Sequence, residues 1–132
     1  MEFTILSLFT FHLFINMLLY GMKANPLVDK SRAFALKMMG VCKEIKHPLI
    51  NQVLRSGTSI GANIHEAQYG NSKADFIAKL HIALKEANET KYWLILLNKS
   101  NYISNEEYKL LEDNCEKIKA MLIKSLNTAK GK

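Results

Sequence analysis

Proline and glycine are scarce in this chain, with two prolines and six glycines among 132 residues. A loop-rich sheet protein needs more turn punctuation than that. Long stretches of Lys, Ala, Leu, Glu and Ile favour helices instead. Cysteine is limited to Cys42 and Cys115, too far apart in sequence for a local metal knuckle and too few for a disulfide framework. Each falls within helical periodicity and reads as a buried small hydrophobe, a disulfide or a redox role being the alternatives. That usage fits reducing conditions and a cytoplasmic setting. Arginine is nearly missing too: Arg32 and Arg55 stand alone among eighteen basic residues, and the rest are lysine. Lysine gives a diffuse positive field, whereas bidentate recognition is arginine chemistry.

Catalytic signatures are also lacking. No glycine-rich phosphate loop follows a strand, and no HExxH motif occurs. The run Ser56-Gly57-Thr58-Ser59 lies inside a helical pattern, with no histidine base at a recognisable spacing. A di-iron bundle needs two Glu-x-x-His pairs on separate helices. Here there is one, Glu44 to His47, beside Pro48. No catalytic, cofactor-binding or metal-ligating residue is assigned, and no enzyme activity, cofactor or small-molecule substrate is expected.

What is present is a basic, half-apolar chain of one-domain size, with a formal charge of +6 and every basic residue at or after Lys23. Residues 1–21 form an apolar extension ahead of a domain at 22–132. Glu2 stands where a signal peptide wants positive charge, and Thr4, Ser7, Thr10, His12 and Asn16 interrupt the apolar run. Three readings stay open: a start at Met22 with the extension outside the fold, a membrane or interface anchor, or an extra helix packed on the domain.

Within 22–132 the periodicity predicts four helices. Asp29 caps the first, over Lys30 to Lys46, with Ala33, Phe34, Leu36, Met38, Val41 and Ile45 as its apolar side and Gly40 as a point of close helix approach. The second runs from Pro48 to Gln68 with Leu49, Val53, Gly57, Ile60, Ile64 and Ala67 on one stripe. Gly57 and Gly61 inside it each cost up to about 1 kcal/mol against alanine, which implies a neighbouring backbone close by. Ser72 with Asp75 opens the third, which ends near Lys99 and carries Phe76, Leu80, Ala83, Leu84, Ala87, Thr90 and Leu94, widened by Ile82, Trp93, Ile95 and Leu97. Ser104 with Glu107 opens the last, which reaches Leu126 with Tyr108, Leu111, Cys115, Ile118, Met121 and Leu122, and residues 127–132 fray. Short links between these helices favour an all-α, antiparallel up-down four-helix bundle.

Arg55, Ser59, Asn63 and Glu66 share one flank of the second helix, since eleven residues at 100° each bring Arg55 and Glu66 within about 20°. Glu86, Glu89 and Trp93 crowd the third helix. A carboxylate beside so much apolar surface wants a cation, so Arg55 is expected to pair with Glu66 or Glu89, between helices or between subunits, the alternative being a plain solvated face. Lys73, Lys79, Lys85 and Lys91 rotate around their helix and make no tight stripe. The basic residues Lys117, Lys119, Lys124, Lys130 and Lys132 are the better candidates for contact with RNA or DNA.

The segment Leu54-Arg55-Ser56-Gly57-Thr58-Ser59-Ile60-Gly61-Ala62-Asn63-Ile64-His65-Glu66-Ala67 is followed by Ser72-Lys73-Ala74-Asp75-Phe76-Ile77, Ile82-Ala83-Leu84-Lys85-Glu86 and Glu89-Thr90-Lys91-Tyr92-Trp93-Leu94. In that order they resemble the bacterial four-helix-bundle family, also called the 23S rRNA intervening-sequence or S23-type protein family, over Met22 to Leu126. The resemblance implies a ring-like homo-oligomer, typically a homopentamer. It also implies kinship with the accessory variability protein of diversity-generating retroelements, which binds a reverse transcriptase and nucleic acid. Arg55, Ser59, Asn63, Glu66, Glu89 and Trp93 then look like fold and assembly determinants. Ala67 departs from the glycine many members carry. The function expected is an oligomeric scaffold binding nucleic acid or a nucleic-acid-associated protein, with a purely structural or protein-interaction module as the alternative.

Overall fold

Helix boundaries are set locally at the caps. In the computed structural model, which describes the backbone of residues 2–23 and 25–132 and the side chains of 4–5, 7–15 and 25–132, the Asn25 side chain accepts from the Val28 N–H at 3.2 Å. Pro26 fills the first helical position, where its missing N–H costs nothing. The helix therefore begins four residues before the Lys30 start expected from Asp29. The Ser72 hydroxyl accepts from the Asp75 N–H at 3.1 Å. Ser104 and Glu107 form a reciprocal capping box at 3.0 Å in both directions. Asn101 takes the left-handed conformation, φ 63°, and the Tyr102 N–H closes on the Leu97 carbonyl at 2.9 Å, ending the preceding helix.

The described residues form α1 (Glu2–Lys23), α2 (Pro26–Cys42), α3 (Ile50–Ala67), α4 (Lys73–Lys99) and α5 (Asn105–Ala129). The fold is all-α with five helices, which corrects the four expected. Residues 1–21 are expected from sequence as an apolar extension ahead of the domain at 22–132. Yet the same stretch supplies most of an additional helix, α1. The ring-like homopentamer came with the four-helix architecture and does not stand with it. The side chain of Met22, the alternative start, lies outside the described residues.

Each helix from α2 to α5 packs on its chain neighbour, and α5 closes back on α2. Asn25 Nδ2 donates to Gln68 Oε1 at 2.7 Å, which fixes the start of α2 beside the end of α3. Among the described residues α1 touches α2 alone, and Ile5, Leu8, Phe9, Phe11, Leu13 and Phe14 on it are exposed. No helix among the described residues is long and apolar enough to cross a membrane.

Phe34, Met38, Ile60, Ile64, Leu80, Leu94, Leu111, Ile118 and Leu122 are fully buried between α2, α3, α4 and α5, each contributing about 1.5–3 kcal/mol of burial free energy. Ala33 and Leu36 face outward instead, because Phe34 and Met38, one turn apart, take the inner line of α2. Ile82 and Ile95 are exposed as well. Gly40 has open space where a Cβ would sit, so it marks no close approach. Gly57 and Gly61 do: a Cβ at Gly57 would lie 3.1 Å from Met38 Cε, and one at Gly61 would lie 3.3 Å from the Ser31 carbonyl oxygen.

Candidate functional site

Arg55 leaves α3 toward α4. Its Nη1 donates to Glu86 Oε1 at 3.3 Å and Oε2 at 3.2 Å, its Nη2 pairs closely with Glu89 Oε1, and its Nε reaches Gln52 Oε1 at 3.4 Å. The Glu89 carboxylate also accepts from the Trp93 indole Nε1 at 3.2 Å. Residues 86, 89 and 93 lie at i, i+3 and i+7, which brings them to one edge of α4. The planar guanidinium suits two carboxylates at once. Glu86 is 17% exposed and Glu89 33%, so the pair is only partly screened by water. The hydrogen bond from Arg55 holds the Glu89 carboxyl below its ordinary value, with Trp93 adding to the effect, and the same hydrogen bond raises Arg55.

The rest of the expected stripe goes elsewhere. Ser59 Oγ donates to the Arg55 carbonyl at 2.5 Å, and Asn63 Nδ2 donates to the Ser59 carbonyl at 2.8 Å. Both satisfy their own helix. Glu66 pairs with Lys79 of α4 at 3.0 Å, not with Arg55. Arg55, Glu86, Glu89 and Trp93 thus form one α3–α4 clamp, and Glu66 with Lys79 forms a second farther along.

The five carboxyl-terminal lysines are dispersed around α5 and its end. Lys119 joins Lys91 on Glu116, at 3.4 and 2.8 Å. Lys130 Nζ lies 2.8 Å from His81 Nε2. Lys124 borders a depression with Phe76, Ser125 and Thr128, and Lys132 is exposed at the end. Lys117 turns toward α2, where Lys30 and Lys37 share its groove. Neither of those two was singled out from sequence. Their seven-residue spacing, two turns on one helix face, was the available signal. Among the described residues, only Arg55, Lys79, Lys91 and Lys119 of the basic side chains form ion pairs.

Cys42 and Cys115 are free and buried. Burial pushes both thiols up to about 11, so neither carries much thiolate near neutrality. Among the described residues no three His, Cys, Asp or Glu side chains gather as a metal-donor set.

A family model described as the 23S rRNA-intervening sequence protein matches residues 23–124. Among solved structures, one from Bacteroides thetaiotaomicron VPI-5482, described as a protein with unknown function from the S23 ribosomal protein family, is similar at 46% identity. The match covers 76% of this chain and 97% of that one, with a TM-score of 0.73. No curated protein matches the sequence.

Proposed function

The chain belongs to the 23S rRNA-intervening sequence protein family, and from that premise we propose that it is a non-catalytic helical scaffold that binds RNA or DNA through its lysine surface. The observation that carries this reading is the large set of lysines left without carboxylate partners among the described residues, on a chain of net charge +6. Such a surface draws a polyanion and releases its condensed counterions. The resemblance to the accessory variability protein, which rests on sequence alone, points the same way. The clamp of Arg55 with Glu86 and Glu89 is read as a structural tie, because the guanidinium is engaged by both carboxylates across α3 and α4. The buried, protonated thiols offer no ready nucleophile.

Mobility shift of labelled RNA and DNA oligonucleotides by the nuclease-treated chain tests the proposal. A retarded band at low salt that dissolves as salt rises is expected, and no shift of either probe at low salt would remove the reading.

A second reading, contact with protein, is favoured by the exposed apolar side chains Ile82, Tyr92 and Ile95 on α4. Light scattering with and without RNA separates the two. Assembly in the absence of RNA favours protein contact, and a mass increase only on adding RNA favours the first reading.

A further inference from the structure

Lys30, Lys37 and Lys117 line one groove of about 210 Å³ between α2 and α5, and no carboxylate lines it with them. None of the three takes part in an ion pair among the described residues. By contrast, Glu66 neutralises Lys79, and Glu116 neutralises Lys91 and Lys119. The floor is apolar: Phe34 and Ile118, each 1% exposed. A low-dielectric wall beneath like charges focuses their field outward. Asn114, on the α5 side, adds an amide that can donate or accept.

The arrangement favours a repeating anion over a single ion. Lys30 and Lys37 sit seven residues apart on α2, roughly 10 Å along the helix axis at 1.5 Å per residue, and Lys117 stands across from them. Point-charge ammonium groups on flexible stems follow a chain of phosphates without needing the fork geometry of arginine.

We propose that this α2–α5 groove seats the sugar-phosphate backbone of a single-stranded RNA, with Lys30, Lys37 and Lys117 facing successive phosphates and Asn114 donating to a phosphate oxygen. The proposal rests on the nucleic-acid reading and gives it a location.

The test is fluorescence anisotropy of a labelled single-stranded RNA oligonucleotide across a salt series. The full chain is compared with a K30Q/K37Q/K117Q variant and a charge-matched control, K43Q/K46Q/K99Q. All six lysines are exposed, so both variants should melt as the unsubstituted chain does. Three lost phosphate contacts at about 0.7 each lower the slope of log K against log salt by about 2 in the groove variant, while the control changes it by less than half as much. A K30R/K37R/K117R variant keeps the slope. Equal losses in groove and control variants mean a diffuse field and overturn the groove alone, as does an unchanged groove variant. No binding by the unsubstituted chain overturns the groove and the nucleic-acid reading together. Displacement of the RNA by an equal charge of polyglutamate as effective as that by unlabelled RNA assigns the groove to acidic protein and overturns the phosphate assignment.

Discussion

Gly61 has a backbone carbonyl for a neighbour, whereas Gly57 has the Met38 side chain, at its Cε and Cγ. That difference decides what an added methyl group does at each. Replacing glycine by alanine inside a helix gains up to about 1 kcal/mol of backbone propensity. At Gly40, where the space is open, Gly40→Ala should keep that gain and raise the melting temperature. At Gly57 the methionine can shift, and the gain and the crowding nearly cancel. Gly61→Ala must displace α2 through Ser31 and should lower the melting temperature. Thermal melts of the three variants check the order Gly40, Gly57, Gly61, and a Gly61→Ala at or above Gly40→Ala would remove the close-contact account. Glu89 makes a second residue-scale point. Its carboxyl lies below the ordinary 4.5 in the folded chain, chiefly through Arg55. A depressed folded value stabilises above the unfolded value, and that contribution is lost as pH falls from 4.5 through the folded value. Urea midpoints measured at neutral pH and below 4.5 should therefore fall less for Glu89→Gln than for the unsubstituted chain, and parallel falls would mean that Glu89 is not held by the clamp.

The helices differ in how fully their roles could be read before the structure was known. Val53, Ile60 and Ile64 on α3, Leu80, Ala83, Ala87 and Leu94 on α4, and Leu111, Cys115, Ile118 and Leu122 on α5 are buried as their 3.6-residue spacing implies. Periodicity gives the face of a helix and not its register against a neighbour. For that reason Glu66 and Glu89 were equal candidates for Arg55, and only packing assigned Arg55 to Glu86 and Glu89 and Glu66 to Lys79. The same limit hid Lys30 and Lys37, whose partner across the groove, Lys117, lies some eighty residues away in sequence. On α2, Phe34 and Leu36 lie about 200° apart, so both cannot face the core, and Phe34 with Met38 takes it. The stretch before Lys23 was least legible because an apolar run without periodic polar residues has no face to read. As a helix it touches α2 alone among the described residues and leaves Phe9, Phe11 and Phe14 exposed. A chain starting at Met22 should therefore keep a cooperative melt shifted by less than about 4 °C, the effect of about 1 kcal/mol in a domain of this size. A larger drop would show that α1 helps hold the core.

For the whole molecule, the consequence is a division between an apolar interior shared by α2, α3, α4 and α5 and an outer wall where positive charge is in excess. Carboxylates are spent on tying helix to helix, Glu86 and Glu89 to Arg55, Glu66 to Lys79 and Glu116 to Lys91. Among the described residues many lysines, including Lys30, Lys37 and Lys117, are left without ion-pair partners. On the proposed nucleic-acid reading, a wall of this kind gains binding free energy mainly from counterion release, so binding must depend steeply on salt. The slope of log K against log salt, for the full chain and one single-stranded RNA, measures that dependence directly. The account predicts a straight line of slope about −2 or steeper, and a flat line, or no measurable binding at the lowest salt, would contradict it.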